Sequence, residues 1–390
     1  DVKSMKCSRR NFLLGTSASV FLTGINFPAK ALVDKKKNLI VITLRGGMDG
    51  LSAVPVISDK SIRKLRKELI IQKSLKLNSD FALHPSLDAL YNLWEKNKAT
   101  IVHATNIPYT GRSHFDGQNL MESGGLIPYK EKTGWLGRGM LSAGYEGKGL
   151  ALALPMPLLL RGVPRNDNYF PAKGKLPSQT VIDILSDAYV QKNETNLQQI
   201  LDIISKRPIS MMAGGGYGKR NHAALAKETA KLLKKDDGPS IAVFDLNGFD
   251  THTAQGGEEG DLAEQLDDVN QIIKIISSNM GDAFENTLII TLTEFGRTIK
   301  QNGGYGTEHG YGSAILMAGG LLKKSQVYTD WPGLKKKNLF EGRDLQSTID
   351  ARAIYNSAMA TCFNTDPKQL NRDVFWSEDM PDLTDTLFKV

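Results

Sequence analysis

Cysteine is scarce in this chain: Cys7 and Cys362 are the two present in 390 residues. Cys7 falls in an N-terminal stretch that reads as a removable leader. The rest of the chain would then keep one cysteine and form no internal disulfide, even in an oxidising compartment. Cys362 closes an apolar helical pattern and reads as core. Long apolar runs are missing beyond the leader, so no later segment reads as a bilayer span. Excess charge is missing too. The formal charge is +7, but Lys3, Lys6, Arg9, Arg10 and Lys30 against Asp1 account for much of it, and +3 remains without residues 1–31. That gives no electrostatic case for a nucleic-acid partner, and Lys35–Lys37 and Lys335–Lys337 read as solvated surface. Internal repeats and low-complexity tracts are absent. The glycine loop "MMAGGGYGKRNH" lacks the spacing of a phosphate-binding loop, the Ser or Thr after Lys219 and a preceding strand, so it reads as surface.

What is present is an ample apolar fraction, 41%, enough for one large α/β domain. "NLIVITLRGGMDG" is a continuous β-branched run that ends in a glycine turn, as expected of a parallel strand covered on both faces. "TIVHAT", "SIAVFDL", "NTLIITL" and "GSAILMAGG" read as further strands. "SLDALYNLWEKN" reads as a helix with Leu87, Leu90 and Leu93 inward. The segment after Gly260 spaces Leu262, Leu266, Val269, Ile273 and Ile276 by threes and fours, the signature of an amphipathic helix. A late helix covers "LQSTIDARAIYNSAMATCF". Strand and helix alternate, which predicts an α/β fold with a mostly parallel central sheet and helices on both faces. Residues 165–235 are the least patterned and read as an insertion or cap within a single domain over 32–390.

The leader carries "SRRNFLLG", in which Arg9-Arg10 precede Phe12, Leu13 and Leu14. It resembles a twin-arginine export signal, and Ala29-Lys30-Ala31 offers the small residues of a cleavage site. Residues 1–31 are therefore expected to be a twin-arginine signal peptide. The mature protein is expected in the periplasm or otherwise exported, with the translocase and signal peptidase as partners in transit and no stable membrane anchor.

Polar residues gather just past the strand ends: Asp49, then Ser113 and His114, then Asp250 and His252 in "GFDTH", then Glu294, then Glu308 and His309. In a parallel sheet the carboxyl ends of the strands share one edge, where ligand sites collect. Imidazole and carboxylate together suit zinc, manganese and related divalent ions. His84 precedes Pro85 at a helix start, His103 reads as a hydrogen-bonded core residue, and His222 lies in the glycine loop.

Carried by "LRGGMDG", "GRSHFDGQ", "GFDTH", "TEFGRT" and "GTEHG", the chain from about Asn38 to Phe363 resembles the alkaline-phosphatase-like superfamily of phosphatases, sulfatases and phosphoglycerate mutases. Within it, the chain is most similar to a large family of twin-arginine-exported bacterial proteins of unknown function. The resemblance implies Asp49 on one metal, Ser113 as nucleophile, and Asp250 and His252 on the other metal. It also implies a final metal-ligating His at His309. Two departures stand out. The Asp-His pair expected after the next strand is here Glu294-Phe295, and the Asp and His of "GFDTH" lie closer together than the superfamily usually has them.

The function implied is metal-dependent hydrolysis of a small anionic phosphate or sulfate ester. Zinc is the expected ion, with manganese or calcium as alternatives. Asp49, Glu294, Asp250, His252 and His309 are the candidate ligands, and His114 is a candidate to replace the missing imidazole. Arg112 or Arg297 would clamp the anion by paired donors. Glu308 would orient His309. Competing readings are that Ser113 merely caps a helix beginning near His114, and that Arg297 pairs with a structural carboxylate. The chain could also be a non-catalytic exported binding protein that retains a degenerate metal site.

Overall fold

All seven residues of Asn38–Leu44 are buried, and they form the central strand β1. Their side chains alternate between two cores, with Ile40, Ile42 and Leu44 in one and Leu39 and Val41 in the other. That is why the run is apolar without a break from Leu39 to Ile42. The computed structural model describes residues 35–153, 155–169, 179–191 and 221–389. The leader, most of the glycine loop and much of the stretch 165–235 lie outside them.

The strands follow in chain order as β2 (Leu75–Lys76), β3 (Ala82–Leu83), β4 (Ala99–Asn106), β5 (Gly149–Leu152), β6 (Asp167–Asn168), β7 (Ile241–Leu246), β8 (Thr287–Leu292), β9 (Ser313–Ala318), β10 (Gln326–Tyr328) and β11 (Ile349–Asp350). β2 and β3 form a separate antiparallel pair. The others make one sheet in the order β10-β4-β9-β8-β1-β7-β5-β6, with β11 also on β4. β1 pairs parallel with both β7 and β8. β9 is antiparallel to β8 and to β4. The sheet is thus mixed and mostly parallel, in agreement with the α/β expectation.

The strand order decides where the site lies. β1, β4, β7 and β8 all end at one edge, and β9 runs the other way and so begins there. The loop before β9 therefore reaches the same edge as the loops after the other four.

One face of the sheet is covered by helices Asp88–Trp94, His222–Leu233 and Asp261–Met280, the other by His114–Ser123, Trp135–Ser142, Ala351–Phe363 and Pro367–Phe375. Leu262, Leu266, Val269, Ile273 and Ile276 all face inward, as their spacing predicts. Cys362 is buried and free, and burial pushes its thiol up to about 12, so it is inert core. His103 is fully buried. Its Nε2 lies 3.1 Å from the Val54 carbonyl, and burial lowers its pKa to about 4, which keeps it neutral. Among the described residues no helix is long and apolar enough to cross a membrane.

Candidate metal centre

The turn after β1 opens the site. Gly46 sits at φ 122, and a Cβ there would stand 2.3 Å from the backbone nitrogen of Asp250. Only glycine lets the loop after β7 press so closely on this turn. The loop before β9 is held in the same way. A Cβ on Gly306 would stand 2.4 Å from the His252 backbone, and Thr307 donates its N–H to the Thr251 carbonyl at 3.1 Å. Gly310 donates to the Gly296 carbonyl at 2.8 Å. These contacts carry His309 to His252, 57 positions earlier in the chain.

Arg297 ties the loops together from below. It is 1% exposed. Its Nη1 donates to Asp250 Oδ1 at 2.7 Å and to the Gly46 carbonyl at 3.2 Å, its Nε to Thr307 Oγ1 at 3.1 Å, and its Nη2 to the Thr307 carbonyl. The competing expectation for Arg297 is thus met: it pairs with a carboxylate, and that carboxylate belongs to the site. Burial works against the ionised Asp250, but Arg297 outweighs it and holds the carboxyl below its ordinary range.

Three imidazoles surround Asp250. His114 Nε2 lies 3.3 Å from Oδ2, while His252 Nε2 and His309 Nε2 lie 3.0 and 3.1 Å from Oδ1. His252 Nε2 and His309 Nε2 are 3.0 Å apart. The Nδ1 atoms face outward onto oxygen. His114 Nδ1 is 2.9 Å from Glu294 Oε1, His252 Nδ1 is 2.9 Å from Glu308 Oε2, and His309 Nδ1 is 2.8 Å from the Arg112 carbonyl. Ionised carboxylates and carbonyls only accept, so each Nδ1 carries the proton and each Nε2 of the neutral ring presents a lone pair. This is the outer support that metal-ligating histidines use.

His114 Nε2 is buried and makes no hydrogen bond. Four lone-pair contacts, from each of the three Nε2 atoms to Asp250 and from His252 to His309, then require a positive charge among them, a proton or a metal ion. His114, Asp250 and His309 form a group able to hold a metal, their ligand atoms all lying within 4.8 Å of one another. The hydrogen bond to Glu294 raises the pKa of His114, whereas burial lowers that of His309.

Glu294 is fully buried. Burial opposes its charge, but hydrogen bonds from His114, Gln118 Nε2 (3.0 Å) and the Gly46 N–H (2.8 Å) keep it ionised, with its pKa lowered. It orients His114 and does not sit among the three converging nitrogens. Phe295, where the resemblance expects an imidazole, is buried and packs its ring 4.9 Å from those of both His114 and His309.

The side chains of Asp49, Arg112 and Ser113 bond to groups other than the imidazoles. Asp49 caps the short helix Gly50–Ala53 and forms a buried pair with Arg66 Nη1 at 2.6 Å. Arg112 donates to Glu341 at 2.6 Å and Asp344 at 2.9 Å, so its charge is already matched. Ser113 is the N-cap of helix His114–Ser123, its Oγ accepting from the Asp116 N–H at 3.4 Å. Glu308 supports His252, not His309. The Arg297–His309 bridge is extended, so neighbouring side chains point opposite ways.

Several members of the site were not foreseen. Gln118 follows His114 by one helical turn and shares its face, which the spacing in "SHFDGQ" would have shown. Gln255 joins Asp49 at 2.7 Å to Thr307 at 2.7 Å. Arg45 spans Gln118, Glu122 and Asp245.

A family profile described as "Protein of unknown function (DUF1501)" matches residues 163–373, more than half of the chain. The chain belongs to the DUF1501 family. No functionally curated protein matches this DUF1501 sequence. Among solved structures it is similar to a sulfatase from Pseudoalteromonas sp. (13% identity, 98% of this chain and 76% of that one, TM-score 0.42). A protein in the alkaline phosphatase superfamily from Vibrio parahaemolyticus is similar at 9% identity, over 90% of this chain and 70% of that one, with TM-score 0.42. The phosphonate monoester hydrolase of Agrobacterium radiobacter matches at 13% identity, over 72% and 68%, with TM-score 0.32.

Proposed function

We propose that this DUF1501 protein is an exported hydrolase of phosphate or sulfate esters that works with one divalent metal ion. The observation that carries the reading is the set of three imidazoles whose Nδ1 protons are all given to oxygen, leaving three Nε2 atoms turned on one carboxylate. His114, Asp250, His252 and His309 would hold the ion, with zinc the expected metal and manganese or calcium alternatives. The ion would supply Lewis acidity toward an ester oxygen. Arg297 keeps Asp250 ionised, and Glu294, Glu308 and the Arg112 carbonyl keep the rings in one tautomer. Ser113 is the proposed nucleophile. Its hydroxyl stands at a helix N-terminus, where negative charge is favoured, and it retains its own proton to give.

The test is hydrolysis of p-nitrophenyl phosphate and p-nitrophenyl sulfate before and after chelation. Activity should vanish with chelator and return with zinc or manganese, and Ser113→Ala should abolish it without changing metal content. The second reading, a metal-holding protein without turnover, is favoured by one observation: Arg112, the expected anion clamp, is committed to Glu341 and Asp344. Metal-loaded wild type that cleaves neither ester would establish that second reading. Export rests on Arg9-Arg10 and Ala29–Ala31. Replacing both arginines by lysine should leave uncleaved precursor in the cytoplasm, and normal processing of that variant would remove export from the proposal.

A further inference from the structure

Beside the imidazoles runs a groove of about 640 Å³, whose walls include Lys64, Lys67, Lys300, Arg343 and Glu308. It shares its boundary with the metal centre. Glu308 lines the groove, and its Oε2 lies 2.9 Å from His252 Nδ1. Arg343 donates to the His309 carbonyl. The two walls are fixed to each other, since Gln301 donates its N–H to the Leu65 carbonyl at 3.1 Å and accepts the Glu68 N–H at 2.9 Å. Arg66, between the two lysines of one wall, is anchored in the protein by Asp49.

The charge in this groove is one-sided. Lys64, Lys67 and Lys300 are exposed, and among the described residues none has an ion-pair partner. Lys64, on the short helix Ile62–Leu65, and Lys67, on the turn Lys67–Leu69 that follows it, both line the groove. The single carboxylate lining the groove, Glu308, already serves His252 and takes a hydrogen bond from Asn302 at 2.6 Å. Three ammonium groups on one concavity repel each other unless an anion lies among them.

We infer that this groove binds a second anionic group of the substrate, so that the ester is part of a molecule bearing at least one further sulfate or phosphate. The inference rests on the hydrolase reading for the word substrate, but the groove itself can be tested without turnover. Sucrose octasulfate is the probe, and sucrose the uncharged control. Calorimetry should show binding of the octasulfate to wild type that weakens by about tenfold or more in the variant Lys64→Gln/Lys67→Gln/Lys300→Gln. The triple variant should fold and take up metal normally, because all three side chains are exposed and away from the imidazoles. His309→Ala should retain most of the octasulfate affinity.

Equal affinity of wild type and triple variant, or no binding to wild type, overturns the inference even if p-nitrophenyl esters are hydrolysed. Lysine-dependent binding without hydrolysis of any ester leaves the groove as a polyanion site and removes the hydrolase reading alone. Equally tight, lysine-dependent binding of a short DNA duplex would assign the groove to nucleic acid and overturn the substrate class inferred here.

Discussion

Asp49 and Asp250 follow glycine-containing turns on one edge of one sheet, and each faces a buried arginine, yet their surroundings are opposite. Asp49 is 1% exposed and fully satisfied. Its oxygens accept from Leu51 N, Ser52 Oγ, both terminal nitrogens of Arg66 and Gln255 Nε2. The Asp250 side chain is 41% exposed and takes one donor from Arg297, while its other near neighbours are imidazole Nε2 atoms without a proton to give in the neutral ring. A carboxylate whose lone pairs are all used holds structure together. One whose lone pairs meet other lone pairs is arranged for a cation. Position after a strand does not separate the two cases; the count of donors does.

The largest effect should come from the satisfied member. Asp49→Ala strands the Arg66 guanidinium in the interior, and an uncompensated buried charge costs about 3–5 kcal/mol. Asp250→Asn keeps an acceptor for Arg297 but removes its counter-charge; because the Asp250 side chain is 41% exposed, the metal-free protein should lose clearly less stability than Asp49→Ala does. Urea unfolding with and without zinc measures both. Asp49→Ala should lower the midpoint sharply in either condition. Without zinc Asp250→Asn should fall much closer to wild type than Asp49→Ala does, and it should lose the added stability that zinc gives wild type. If zinc stabilises Asp250→Asn as it does wild type, or if Asp49→Ala unfolds with wild type, the distinction between the two carboxylates collapses.

The sheet was legible because its central strands are buried on both faces, which gives the unbroken apolar runs Leu39–Ile42 and Leu288–Ile290. The edge pieces β6, β10 and β11 are two or three residues long and carry no period. The gathering of His114, Asp250, His252, Glu294 and His309 was legible from strand ends alone. Their division of labour was not. Arg66 sits in "SIRKLRKEL", where a buried arginine reads the same as the exposed lysines around it. Glu294 looked like a ligand, but its place is set by three donors, one from the turn after β1 and two from helix His114–Ser123. Glu308 was assigned to its neighbour His309 by adjacency, and the extended backbone turns it to His252 instead.

That last pairing gives the smallest and most discriminating effect. Glu308 is about half exposed, and the hydrogen bond from Asn302 outweighs slight burial to hold its carboxyl below the usual range. An exposed carboxylate of this kind adds little to stability. Its influence on the site runs through the Nδ1 proton of His252, which fixes the orientation and tautomer of the ring. Glu308→Gln removes the charge and keeps the shape, so metal-free stability should stay within about half a kcal/mol of wild type. Loss of such an outer partner typically weakens metal affinity by about 10–100-fold, and the exposure of Glu308 places the expected loss near tenfold. Competition with a chelator of known affinity measures it. An unchanged affinity would show that His252 is not a ligand and that the metal group is His114, Asp250 and His309 alone. His252 would then be left as a half-exposed base beside the open side of the site.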